Sequence, residues 1–395
     1  MLSKAISALA RRVSSGLTPL RSNPEFWLAG TIPWLKTEQL GEKFIYSTTE
    51  KISEAALRKT SIKVYPPNTL TIAMYGEGKT RGNVSIIKSE MATNQACCNI
   101  ELDPELADFE YVYYFLKTQY NELRNLSSGV RKNLNSDDIK NFVIRLPREL
   151  TDQKKIAAVL SALDAKIDCN NRINAELEAM AKTLYDYWFV QFDFPDANGK
   201  PYKSSGGKMV YNATLKREIP EGWSDAIVAD ILDKTPTSTK IQNKDILDIG
   251  AIPVIDQSQS YICGFTDEKS SLIGAIQPHV VFGDHTRILK LVNFSYARGA
   301  DGTQILVSKY MRMPGYLMYQ AVSDIDLSSY GYARHFKFLK ESKIILPDQS
   351  VAQKYQDAVT PWFEKKRASI FENMELARLR DWLLPLLMNG QVTVA

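Results

Sequence analysis

The sequence is poor in the residues that carry most site chemistry. Only three histidines occur in 395 residues, His279, His285 and His335, and none has the HExxH or paired spacing that a zinc site needs. The four cysteines, Cys97, Cys98, Cys169 and Cys263, show no CxxC spacing, so neither a metal knuckle nor a disulfide framework is indicated. If Cys97 and Cys98 lie in a strand, alternation sends them to opposite faces, and all four read as buried thiols of a reducing cytoplasm. No apolar run approaches the roughly 18–20 residues of a membrane helix. No Ser/His/Asp or Cys/His set is recognisable. Charge is nearly balanced, with 49 Lys and Arg against 45 Asp and Glu for a net +4. That balance suits a nucleic-acid binder with local basic patches without demanding one. The first 24 residues carry Lys4, Arg11, Arg12 and Arg21 but no acid, a superficial likeness to an organelle transit peptide. Ala5 to Leu9 read instead as a helical turn or two leading into the first domain.

Two motifs look catalytic and fail on context. Ala73-Met74-Tyr75-Gly76-Glu77-Gly78-Lys79-Thr80 nearly satisfies a phosphate-loop pattern, but such a loop must open a helix whose amides hold the anion. Here Gly82 and the β-branched run Val84 to Ile87 follow, which predicts strand–turn–strand with Leu70 to Met74 as the partner. Tyr65-Pro66-Pro67-Asn68 reverses the loop with which amino-methyltransferases hold a flipped adenine, and no glycine-rich methyl-donor motif accompanies it. The chain reads as non-catalytic.

What is abundant is repetition. Ile144-Arg145-Leu146-Pro147 and Ile344-Ile345-Leu346-Pro347 stand 200 residues apart, each followed by a charged, helix-forming stretch beginning near Gln153-Lys154-Lys155 or Gln353-Lys354-Tyr355. The stretches end in related blocks, Leu184-Tyr185-Asp186-Tyr187-Trp188 and Leu379-Arg380-Asp381-Trp382-Leu383. Residues 151–189 contain neither Pro nor Gly, and Leu160, Leu163, Ile167, Leu177, Ala181, Leu184 and Trp188 follow a helical 3/4 rhythm. At 1.5 Å per residue such a helix runs roughly 55 Å. Its single apolar seam needs a partner, and the second stretch (Val359, Phe363, Ile370, Ala377) offers one as an antiparallel coiled coil. Asn170 and Asn174 interrupt the seam, and Asn170 is expected to meet Asn373. Pro361 is expected to interrupt the first turns of the second helix. These signals divide the chain into a mixed domain over 1–150, a long helix over 151–190, a linker over 191–210, a second mixed domain over 211–347 and a long helix over 348–395.

Order, duplication and spacing together resemble the specificity subunits of type I restriction-modification enzymes, across nearly the whole chain. The segments concerned are Gly30-Thr31-Ile32-Pro33-Trp34-Leu35 and Ala92 to Cys98 in the first domain. In the second they are Gly250-Ala251-Ile252-Pro253, Phe282 to Arg287, Gly302-Thr303-Gln304 and Gly331 to Phe336. Leu184 to Pro195 and Leu379 to Val392 are similar to that family's central and C-terminal repeats. One departure is that Pro220-Glu221-Gly222-Trp223 opens the second domain with no counterpart before Gly16-Leu17-Thr18-Pro19. The resemblance implies an α+β chain of two target-recognition domains separated by two long helices in an antiparallel coiled coil, pseudo-twofold and circular in organisation. It implies double-stranded DNA as ligand, two methyltransferase subunits and further restriction subunits as partners, a cytoplasmic setting and no membrane. Adenine-N6 methylation and ATP-dependent cleavage would belong to the assembled complex. S-adenosylmethionine, ATP and Mg would sit on partner chains, with no cofactor and no metal in this one. The alternative is a two-module DNA-binding regulatory or architectural protein without methyltransferase partners.

Base edges are read by directional donors and acceptors on loops. Lys79 and Arg81 on the Gly-rich turn, and Arg131, Lys132 and Asn133 on a later basic loop, are the candidates in the first domain. His285, Arg287, Tyr332, Arg334 and His335 are those of the second. Lys132 is the weakest base reader, since a lysine on a basic loop serves a phosphate equally well.

Overall fold

Alternation and turn chemistry produce two sets of short strands, and the 3.6-residue rhythm produces two long helices. The computed structural model describes residues 1–76, 78, 80–126, 133–331 and 334–394. Contacts divide the chain into one unit of residues 1–168 with 374–395 and another of 169–373. Both divisions fall inside the long helices, Leu150–Tyr185 and Gln349–Met388.

In the first unit a five-stranded sheet runs in the order Ala10–Ser15, Cys97–Leu102, Leu70–Ala73, Val84–Ile87, Phe44–Ile45. The expected pair is present: Leu70–Ala73 and Val84–Ile87 are antiparallel neighbours. Strand alternation gives the sheet two buried faces. Leu70, Ile72, Ile86, Cys98 and Ile100 pack with Tyr111, Val112 and Phe115 of the helix Phe109–Thr118. Ala73, Ile87 and Cys97 face the other way, onto Leu35, Tyr65 and Met91 of a second sheet. That sheet has the order Glu50–Ile52, Ile32–Leu35, Met91–Thr93, Val64–Tyr65. The vicinal cysteines therefore belong to different cores, and burial pushes the Cys98 thiol up to about 12. The helical turn expected at Ala5 to Leu9 is present as a 3-10 turn set between two strands. Leu2–Ala5 pairs with Val143–Leu146, a single 3-10 turn covers Ile6–Ala8, and Ala10–Ser15 joins the main sheet. Ile6 and Leu9, in and after that turn, are fully buried.

The second unit repeats the centre of this topology, with three strands in place of five in its main sheet. Gly264–Thr266, Ile252–Ile255, Tyr296–Arg298 and Leu272–Ile273 form one sheet, with Ile252–Ile255 parallel to Tyr296–Arg298 as Ile32–Leu35 is to Met91–Thr93. Leu289–Val292, His279–Gly283 and Thr303–Leu306 form the other. Ser224–Ile227 pairs with Lys343–Leu346 as Leu2–Ala5 pairs with Val143–Leu146.

The helices run antiparallel within each unit. In the first, Arg380 donates to Asp164 at 2.8 Å, and Leu160 shares a core with Leu387. In the second, Asn170 Nδ2 donates to Asn373 Oδ1 at 2.8 Å, and the Tyr355 hydroxyl donates to the Ala181 carbonyl at 3.0 Å. The expected asparagine pair is thus formed. One expectation fails. Pro361 does not interrupt the helix: it and Asp357, whose carbonyl loses its donor, both lie on the exposed face, where water serves instead. Buried Val359 and Phe363 on either side hold the helical path. Residues 191–208 form a loop, and aromatic side chains anchor it. Phe194 stacks between Tyr202 and Trp223 at centroid distances of 4.7 and 5.0 Å, and Phe192 meets Trp223 edge-on. Aromatic burial thus fixes a segment whose composition suits a loop.

Candidate nucleic-acid interface

Each unit brings the ends of its hairpin, a following strand and the loop before a short helix to one place. In the second unit the hairpin of His279–Gly283 and Leu289–Val292 turns through residues 284–288. The turn closes with Gly283 N to Ile288 O and Arg287 N to Gly283 O, both 2.8 Å. Arg287 takes a left-handed backbone, φ 61°, a conformation that costs a non-glycine residue free energy and is met most often at functional loops. Asp284 is the hub. Its amide donates to Gly302 O at 2.7 Å, its carbonyl accepts from His335 N at 2.9 Å, and its Oδ1 accepts from Phe336 N at 2.8 Å. Turn, strand end and helix start are thereby tied together.

The first unit uses the same two backbone bonds. Met74 N donates to Ala96 O at 2.8 Å, and Leu134 N donates to Met74 O at 3.2 Å. Met74, Ala96 and Leu134 stand where Asp284, Gly302 and His335 stand in the second unit. No side-chain carboxylate is available at Met74; its sulfur accepts from Ser136 Oγ at 3.7 Å instead. The near-phosphate-loop is therefore the turn of a hairpin, and it opens no helix.

The candidates distribute as follows. His285, Arg287 and Arg334 are exposed around the Asp284 hub, with Arg287 Nη1 donating to Leu327 O at 3.2 Å. His335 belongs to the same cluster but is buried, and its Nδ1 has no partner among the described residues. It opens the helix His335–Glu341 and supports the cluster from beneath. In the first unit Arg81 is half-buried on the hairpin turn, and exposed Asn133 directly precedes the anchored Leu134. Lys79, Arg131, Lys132 and Tyr332 lie outside the described residues.

Sequence reasoning missed Asp284 and Gln257. Gln257 Oε1 accepts from His285 N at 3.2 Å, its Nε2 donates to Asp301 O at 2.9 Å, and its carbonyl accepts from Thr286 Oγ1 at 2.9 Å. Asp284 sat inside a motif already singled out. Gln257 carries no sequence signal, because only the fold brings it to residues 285 and 301.

A hairpin turn, a strand end and a helix start fixed by the same bonds in two places form a duplicated loop platform. Residues 11–179 match the type I restriction modification DNA specificity domain. Over this segment the chain is similar to that specificity-domain family. It is 27% identical over 412 residues to the MjaIX specificity subunit of Methanocaldococcus jannaschii, covering 97% of this chain and 91% of that protein. Identity to the HindI specificity subunit of Haemophilus influenzae is 23%, over 67% of this chain and 72% of the relative. Among solved structures, the type I S subunit of M. genitalium aligns over 98% of this chain and 95% of its own. Its TM-score is 0.59 at 17% identity, a likeness that establishes the two-domain, two-helix fold.

Proposed function

We propose that this chain is the DNA sequence-specificity subunit of a type I restriction-modification complex. Each unit reads one half of a bipartite duplex target. The chain itself is non-catalytic, and the methyltransferase and restriction chains supply adenine methylation, cleavage and their cofactors. The observation that carries this reading is the duplicated loop platform, two copies of one topology with different side chains at equivalent places. Identical platforms would read a repeated half-site; here the buried supports of the loops differ, Met74 against Asp284 and Leu134 against His335. The exposed cations Arg287 and Arg334 provide donors for base edges or phosphates.

The long helices serve as spacer and as docking surface. Both matched blocks leave one aromatic in solvent, Tyr187 at 38% and Trp382 at 63% exposure, where partner chains can bury it. No helix among the described residues is long and apolar enough to cross a membrane.

Co-expression with the neighbouring open reading frames, followed by mapping of methylated adenines in the host genome, tests the reading. A stable complex and a split methylated sequence with a fixed spacer are expected. DNA binding without a methyltransferase complex would instead favour an architectural protein.

A further inference from the structure

The half-buried loop 256–258 is built firmly into the second unit. Lys290, almost wholly buried, reaches Asp256 at 3.5 Å and donates to Ser260 O at 2.5 Å. Asp256 Oδ1 accepts from both the amide and the hydroxyl of Ser258, at 2.9 and 2.6 Å. Burial opposes ionisation of Asp256, but the Ser258 bonds and Lys290 outweigh it and hold its carboxyl below the usual carboxylate range. On this anchored loop Gln257 sends its side chain between the hairpin turn and residue 301.

The approach is close enough to require glycine. A Cβ at Gly302, whose φ is 73°, would stand 2.7 Å from Gln257 Nε2 and 2.8 Å from His285 Cδ2. At Gly283 it would stand 2.8 Å from Gln257 Cβ. His285 thus lies over Gly302, with its backbone amide held by Gln257.

We propose that Gln257, with Asp284 beneath it, is a positioning residue for sequence reading by the second domain. It acts through His285 rather than by its own contact with DNA. The amide fixes where the imidazole stands, and Asp284 fixes the turn and helix start on either side. Both residues spend their hydrogen bonds on protein atoms, which leaves His285 and Arg287 to face the ligand. Preorganisation of this kind raises discrimination because a loose reader can adapt to the wrong base.

This inference rests on the specificity-subunit reading, and the experiment separates the two. The full complex is purified with its methyltransferase partner, and binding is measured on duplexes carrying the mapped target or single-base changes in either half. If wild-type complex shows no preference for the split site, the specificity reading itself falls. If it does, Gln257→Ala is expected to lower discrimination about fivefold or more in one half only, the loss of an anchoring hydrogen bond. His285→Ala should weaken the same half. The double variant should be no worse than His285→Ala alone, since a residue acting through another has nothing left to position. Asp284→Asn, which keeps an oxygen for Phe336 N, should retain most discrimination where Asp284→Ala loses it. Additive losses in the double variant, equal loss in both halves, or unchanged discrimination in Gln257→Ala would each overturn the proposal.

Discussion

Asp164 shows how much of the first unit one side chain can hold. Its carboxylate accepts from Arg380 at 2.8 Å and from the Tyr114 hydroxyl, and stands 3.6 Å from Lys43 Nζ. Lys43 in turn reaches Tyr114 at 2.8 Å and Ser161 at 3.1 Å. Burial, reinforced by the Asp164 charge, pushes the Tyr114 hydroxyl far up, so it remains a donor at any working pH. Replacing Asp164 by Ala would leave Lys43 and Arg380 without their shared anion. With Arg380 partly in solvent, the expected loss is about 2 kcal/mol, read by urea denaturation. A second residue makes stability depend on pH. His279 is buried beside the Tyr296 hydroxyl at 3.2 Å, and burial lowers its pKa. The folded state therefore favours neutral imidazole. Stability is complete above the ordinary value near 6.5 and declines as pH falls from there toward the depressed folded value. Thermal unfolding between pH 7 and 5 should show this decline in the native chain and a smaller one in His279→Phe. Of the three histidines, sequence alone could not rank which face a ligand. His285 is exposed whereas His279 and His335 are buried, because strand register and helix start, rather than residue type, decide exposure.

At the scale of elements, the polar seam is the feature most open to test. Asn170 also donates to Glu372 at 2.8 Å, and Asn373 Nδ2 donates to Asn171 at 2.8 Å. Asn170 Oδ1, Asn174 Oδ1 and Ser369 Oγ are buried without a partner among the described residues. Such a seam weakens the helix pair but penalises other registers. Asn170→Leu with Asn373→Leu together should raise the melting temperature, while either change alone should lower it by stranding the remaining amide. A double variant that melts earlier would show that the seam itself stabilises the pair. The seam was legible because a period of 3.6 residues fixes which positions face a partner. Pro361 was misjudged for the converse reason: the period says which face a proline occupies only once the buried face is known. Composition indicated the loop at 191–210 but not its anchors, since Phe192 and Phe194 find partners in Tyr202 and Trp223 that no local pattern links to them.

At the scale of the whole molecule, the units do not coincide with the intervals drawn from the sequence. The core of the first unit includes Ile156, Ala157 and Leu160 from one long helix and Leu387 and Met388 from the other. Exchange of residues 1–147 for those of a related protein should change one half-site and preserve the other. The chimera should be less stable than one exchanging 1–168 together with 374–395, because only the latter carries its own helix contacts. Methylation mapping reads the half-sites and a melting curve the stability. A change in both half-sites would end the two-reader account. The duplication, the hairpins, the long helices and their antiparallel seam were fixed by period, turn residues and repeat spacing, all of which act over a few residues or along one helix. Which loops form a platform, that Asp284 and Gln257 organise it, and that both chain ends enter one unit were decided by the tertiary structure. Those facts depend on contacts between residues tens to hundreds of positions apart, for which a single chain carries no local signal.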